Sequence, residues 1–276
     1  MSQNEINQNT MLSIGATSIG AQNNVNINGG NININLNVDR KVVEQQIRTL
    51  WNENFPKLQA EAQRVTVERM EEMVEVIRDN VLVSVGERIS EFSDPGVQYA
   101  LYEAMKSYAR YGDKMLLEML PIALTERVKS DSEYIKLLID QSMERVRFLT
   151  DAQVDYLTAL FFCKRAVFHT MNDISELEEF LKYLANELCD MHTVPTSMLI
   201  SMGFLQLNLG GIVEFLSEQY GFAQEQVKNI VPLGLVGLEE DYGVSDMGAV
   251  IAMINGKKKL NINYNIEEFF KKLSHK

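Results

Sequence analysis

Four side chains in this sequence have the chemistry to hold a metal: Cys163, His169, Cys189 and His192. Cys189-x-x-His192 has the short gap of a structural zinc site, and two adjacent helices would bring all four together. Cysteine is also among the most buried residue types and packs as a small hydrophobe. Packing is the better reading, and no metal site is expected. Paired carboxylates come next, at Glu178-Glu179 and Glu239-Glu240-Asp241. Acid–base chemistry needs a tuned partner, and no histidine lies near either group in sequence, so both read as solvated acidic faces. Tyr99, Tyr102, Tyr108 and Tyr111 read as packing within a helical bundle rather than as a ligand cage. Lys257-Lys258-Lys259 reads as a solvated loop, with phosphate contact as the alternative. A metalloprotease His pair, a Walker loop, a nucleophile elbow and a dinucleotide fingerprint are all absent from the sequence. The expectation is therefore a non-enzyme with no catalytic residue, no cofactor and no metal.

Charge narrows the partners. The net charge is −12, and half of it falls within 94–195. No region is basic overall, which argues against a broad electrostatic footprint on nucleic acid or anionic lipid. The two cysteines do not make a disulfide framework and fit a reducing cytosol. The N-terminus has no basic stretch followed by an apolar run, and no apolar stretch, the candidate Leu157–Phe162 included, approaches the length needed to span a bilayer. A cytoplasmic protein without membrane attachment is expected.

The most unusual segment carries no reactive groups. Eight of the fifteen residues from Asn23 to Asn37 are asparagine, and apolar residues fall between them on alternate positions. A two-residue turn at Gly29-Gly30 places Ile27 opposite Ile32 and Val25 opposite Ile34. The same turn pairs Asn28 with Asn31 and Asn26 with Asn33, so one face is apolar and the other is amide. A three-residue loop would destroy the sorting. A lone two-stranded hairpin is marginal in water, so this one must pack on its own helices or on other copies, whose amides would stack into ladders. Val25, Ile27, Ile32, Ile34 and Leu36 are the candidate buried set for homo-oligomerisation, with Asn26, Asn28, Asn31 and Asn33 as the laddered set.

The rest is helical in pattern. Asp39 caps a first helix, and Asn54-Phe55-Pro56 reads as the start of a second, because proline is tolerated in a first turn. Leu58, Ala62, Val65, Met70, Met73, Val74, Ile77 and Val81 form a helical stripe that continues through Ile89 and Phe92. Asp94-Pro95 opens the next helix and Gly112 closes it. Four more follow at 113–129, 132–147, 150–169 and 173–189, with Thr150 and Gln153 as a capping box. Short connections between amphipathic helices mean antiparallel neighbours. Beyond Val194-Pro195, short helices near 196–207, 211–220 and 223–231 precede a Gly-rich passage and a further helix. Leu260–Ile266 is a second Asn-alternating segment, read as a strand that could complete the first hairpin.

The fold expectation is mainly α: a multi-helix bundle or α-hairpin stack with an Asn-rich N-terminal hairpin and a small C-terminal α+β module. Its parts are a flexible lead at 1–22, the hairpin at 23–38, a helical body at 39–195 and a C-terminal module at 196–276.

Two resemblances add to this. Tyr242-x-Val244-Ser245-x-x-Gly248-x-x-Ile251-Ala252, after three short helices, resembles the wing end of winged helix-turn-helix domains. Glu239, Glu240 and Asp241 on that wing would repel a phosphate backbone, so such a module would contact protein rather than DNA. The second resemblance joins three stretches: the Asn/Gly lead; Asn54-Phe55-Pro56-Lys57-Leu58 with Glu61-Ala62; and Asp94-Pro95 with Gln98-Tyr99-Ala100-Leu101, Tyr108-Ala109-Arg110 and Gly112-Asp113-Lys114. Together with the later Gly-x-x-Ile-Ala they resemble one family of uncharacterised bacterial proteins, which has no established enzymatic activity. The chain departs from that family's tail at 260–266 and at Phe269-Phe270. The resemblance implies a bacterial, cytosolic origin and supplies no catalytic residues. The functional expectation is a self-assembling scaffold that holds a protein partner, in a stress or anti-phage setting by analogy with stackable N-terminal signalling segments. The alternative is a transcription-associated regulator with a winged-helix-like module.

Overall fold

A computed structural model describes residues 40–166, 171–188, 194–208, 210–236, 238 and 241–274. The chain divides into two compact units, 1–57 and 58–276. The Asn-rich hairpin falls outside the described residues, as do His169, Cys189, His192, Glu239 and Glu240.

The protein is mainly α. Helix α1 spans Arg40–Ile77 and runs through Pro56 without a break, so the helix start expected at Asn54 does not occur. Proline costs its turn one donor, the one that would have reached the Asn52 carbonyl. Asn54 directs its side-chain amide back to the Leu50 carbonyl at 2.8 Å instead of capping a new helix.

In the unit 58–276, α1 passes into a π-helical turn at Arg78–Leu82 and then a 3₁₀ stretch at Gly86–Ser93. Helices α2 (Pro95–Tyr111), α3 (Lys114–Lys129), α4 (Glu133–Val146), α5 (Asp151–Lys164) and α6 (Ile174–Glu187) follow. Their ends are set by chemistry that the sequence shows. The Asp94 carboxylate accepts from Val97 N–H at 3.1 Å. Gly112 takes the left-handed conformation after α2, with φ at 64°. Thr150 and Gln153 cap α5 reciprocally, which satisfies donors a helix start leaves open.

The C-terminal part contains α7 (Thr196–Ser201), β1 (Leu205–Leu207), α8 (Ile212–Tyr220), α9 (Gln224–Ile230), α10 (Leu233–Val236), β2 (Tyr242–Val244), α11 (Asp246–Lys259) and α12 (Ile266–Ser274). The two strands are antiparallel, with Leu205 opposite Val244.

Helices α5 and α11 form the centre. Every residue of α5 from Gln153 to Lys164 and of α11 from Gly248 to Gly256 is buried. A helix buried all round shows no amphipathic period, and α11 packs on α5, α4 and α3 at once. The apolar core is continuous from Met115 to Phe270 and includes residues on both sides of Pro195. A second cluster gathers Met73, Ile77 and Val81 against Val97, Tyr108, Leu117, Leu120, Leu124 and Val128.

Leu260–Ile266 is not a strand. Its burial alternates as an extended segment would, with Leu260 and Ile266 inside and Asn261, Asn263 and Asn265 exposed, but it makes no ladder. Two of its asparagines act locally. Asn261 adopts φ 52°, a conformation asparagine tolerates better than most residues, and there the Ile262 N–H turns back to the Gly256 carbonyl. Asn265 caps α12 by accepting from Glu268 N–H at 2.9 Å.

Candidate functional sites and surfaces

The candidate metal ligands are represented among the described residues by Cys163 alone, and it is fully buried within α5. Burial pushes its thiol up to about 12, so the thiolate that binds metal or attacks carbon is absent at neutral pH. Among the described residues no group of three His, Cys, Asp or Glu side chains is placed to hold a metal ion.

The four tyrosines do not act together. A helix turns about 100° per residue, which puts Tyr108 half a turn away from Tyr99. Tyr108 is buried and donates to the Glu72 carboxylate, whereas Tyr99, Tyr102 and Tyr111 are exposed. Burial first, and then Glu72, push the Tyr108 phenol up to about 12. The bundle-packing expectation therefore holds for Tyr108 and not for the other three.

The lysine run is not a loop. Lys257, Lys258 and Lys259 form the last turn of α11, where cations complement the helix dipole. They pair with Glu126 at 3.2 Å, Glu118 at 2.9 Å and Asp155 at 2.5 Å. Asp155 is buried and also accepts from the Asn255 amide at 3.0 Å, while that amide reaches Thr158 Oγ1 at 2.9 Å. These lysines help to fasten α11 to α3 and α5. Of the carboxylate pairs, Glu178 is tied to Lys182 at 2.6 Å.

A cleft of about 370 Å³ lies where α4, α11 and α12 meet. Tyr134 donates to Asp246 at 2.6 Å, and Arg165 bonds the same carboxylate at 2.5 Å and the Val244 carbonyl at 3.0 Å. The Arg165 guanidinium lies over the rings of Phe269 and Phe270. Glu267 accepts from Ser130 Oγ at 2.7 Å and from Asp131 N–H at 3.0 Å, and it pairs with Lys271 at 2.6 Å. Lys271 foremost, then these two donors, hold the Glu267 carboxyl down to about 2. The hydrogen bond to Asp246, with burial, pushes the Tyr134 phenol up to about 12. Neither group is poised to exchange a proton near neutrality. The cluster joins residues more than a hundred positions apart, and no local motif marks it.

Glu267 gives a prediction with a definite sign. Its depressed folded value means its contribution is fully present above the ordinary glutamate value of 4.5 and is lost as pH falls through about 2. Thermal melts of wild type and Glu267→Gln should differ at pH 6, and the gap should close as pH falls from about 4.5 towards 2. A gap that stays constant across that window would remove the carboxylate from this role.

The most conspicuous surface is apolar. In α1, Ile47, Leu50, Trp51, Phe55 and Leu58 are exposed by 60%, 51%, 60%, 43% and 64%. The rings of Trp51 and Phe55 are stacked at 4.6 Å. Scattered exposed apolar residues are ordinary, and what sets this stretch apart is the stacked aromatic pair.

The C-terminal elements run helix, strand, helix, helix, a one-turn helix and strand through α7, β1, α8, α9, α10 and β2. The short Gly221-Phe222-Ala223 connection between α8 and α9 is of helix-turn-helix length. Gln224, Glu225, Gln226, Lys228 and Asn229 are the exposed residues of α9, a face with no excess of positive charge.

A protein-family model with the bare description ":-like" matches residues 38–275. The chain belongs to that family. The match takes in the Asn54–Leu58 and Asp94–Lys114 stretches on which the sequence resemblance rests, and it begins just beyond Asn37, the last residue of the Asn-rich run. No curated protein and no solved structure matches the chain. No helix among the described residues is long and apolar enough to cross a membrane.

Proposed function

We propose that this is a non-enzymatic, self-assembling scaffold of the bacterial cytosol, oligomerising through its Asn-rich segment. The observation that carries the reading is the alternation of asparagine and apolar residues in the sequence of 23–38. An even turn at Gly29-Gly30 would sort Val25, Ile27, Ile32 and Ile34 onto one face and Asn26, Asn28, Asn31 and Asn33 onto the other, with Leu36 extending the apolar side. Such a two-faced hairpin gains most when like copies stack, because the amides then ladder and the aliphatic faces bury one another. The helical body would present a protein partner. A place in stress or anti-phage response is an analogy with proteins that carry stackable N-terminal segments.

Light scattering of the full chain against a chain starting at Asp39 tests the reading. The full chain should have the larger mass, and the difference should grow with concentration. Equal masses at every concentration would refute it.

The element order from α7 to β2 supports a second reading, a winged-helix-like regulatory module. The charge on α9 and the engagement of Lys257–Lys259 in ion pairs favour protein over DNA as its partner. Its discriminator is salt-dependent DNA binding that weakens when Lys257–Lys259 are neutralised, which would favour a transcription-associated regulator over the scaffold.

A further inference from the structure

We propose that the groove between α2 and α4 is a binding site for a small carboxylic acid with an apolar body, whose head group is taken by Arg147. The site lies wholly within the unit 58–276 and is independent of the Asn-rich segment.

Small residues open the groove. Gly96, Ala100 and Ala104 recur every four residues along α2, so they share one side of the helix and leave space towards α4. The cavity measures about 350 Å³. Leu116 of α3 and Met143 of α4 lie at its floor, and the exposed Tyr99 and Leu137 stand at its rim. Ion pairs mark its two ends. Arg127 joins Asp94 at 3.5 Å to Asp140 at 2.7 Å, and Arg147 faces Glu103 at 3.9 Å. The helical rise from Asp140 to Arg147 is about 10 Å. A mainly apolar cavity of this size with a few polar groups suits a small molecule.

Arg147 selects the head group. Its Nε is buried and meets no acceptor among the described residues. Its Nη1 reaches Glu103 only at the outer limit of an ion pair, and Glu103 has a nearer cation in Lys106 at 3.2 Å. The guanidinium carbon lies 4.9 Å from the Phe148 ring centroid, a contact that holds the group in place. A buried donor without an acceptor carries its full desolvation cost. A carboxylate accepts two parallel N–H bonds from a guanidinium and offsets that cost. The acids of the groove do not fill this role. Asp140 is held by Arg127, and Glu144 sits at the exposed rim, where solvent and salt screen it. Arg147 is the one cation among the described residues that line the groove.

The test titrates the full-length chain by NMR with three probes that share one body: phenylbutyrate, phenylbutanol and phenylbutylamine. Wild type should bind the acid most tightly and the amine least. Arg147→Gln should weaken the acid at least about 10-fold and the alcohol less than about 3-fold. Ala100→Leu fills the groove and should abolish binding of the acid and the alcohol alike. Its circular dichroism should match wild type, because leucine is a good helix former; should the chain unfold, Arg147→Gln decides alone. An amine that binds more tightly than the acid would assign the groove to its carboxylates and overturn the proposal. So would an acid whose affinity survives Arg147→Gln, or a wild type that binds none of the three. Each of these results leaves the mass of the full chain against the chain starting at Asp39 unchanged, so the scaffold reading stands or falls separately.

Discussion

Asp155→Ala should cost about 3–5 kcal/mol of stability, measured as a shift in the urea midpoint. The Asp155 carboxylate is 1% exposed and sits between the two central helices. One oxygen accepts from Asn255 and the other from Lys259, residues one turn apart on α11. Removing it takes one acceptor from the Asn255 amide in the core and this ion pair from an ammonium that is itself only 29% exposed. Both are losses of a partner rather than of contact area, and an abandoned buried polar group costs its full desolvation. Asp155→Asn should cost less, because its shape and one acceptor survive. A double-mutant cycle with Lys259→Ala should show coupling of at least about 1 kcal/mol. A cost below 1 kcal/mol for Asp155→Ala would mean the network does not hold α5 and α11 together.

Gly248→Ala should cost about 3 kcal/mol and lower the melting temperature by several degrees. A β-carbon at Gly248 would lie 2.2 Å from the Phe204 carbonyl oxygen. That oxygen cannot easily retreat, because it accepts the Ser245 N–H at 2.9 Å. Ser245 in turn caps α11 through Gly248 N–H and donates to the Gly203 carbonyl. The methyl group therefore has to displace backbone that is itself fastened. Gly256→Ala should cost less, since its β-carbon meets the Phe162 ring at 2.8 Å and a side chain can give way. Gly234→Ala meets nothing closer than 3.8 Å and should be neutral or slightly stabilising. Equal costs at all three would point to a general intolerance of substitution instead of this contact.

These two positions also mark where the sequence was readable. Helix ends were legible because their signals are local: Asp94-Pro95, Gly112, and Thr150 with Gln153 each act within one turn. Ser245 and Gly248 resemble part of a wing motif in sequence, and in the fold they start a buried helix beside β2. The central role of α5 and α11 left no periodic mark, since helices buried on every side have no polar face to alternate with. Lys257–Lys259 looked solvated because their acidic partners lie about a hundred residues away or more. Pro56 misled for a related reason: an exposed helix can absorb a missing donor that a sequence rule treats as a boundary. Asparagine alternation in 260–266 imitated a strand, although two of its amides are spent on ending one helix and starting the next.

The Asn255–Gly256 step has one more consequence. In a loose chain, asparagine before glycine is the pair most prone to lose its side-chain nitrogen, because the next backbone nitrogen can swing in and close a five-membered ring. Here that nitrogen is locked in the helix, and the amide it would expel is bound to Asp155 and Thr158. The fold thus keeps its own ageing chemistry in check at this step, and the fraction of Asn255 converted to aspartate or isoaspartate records how often the centre of the protein has opened.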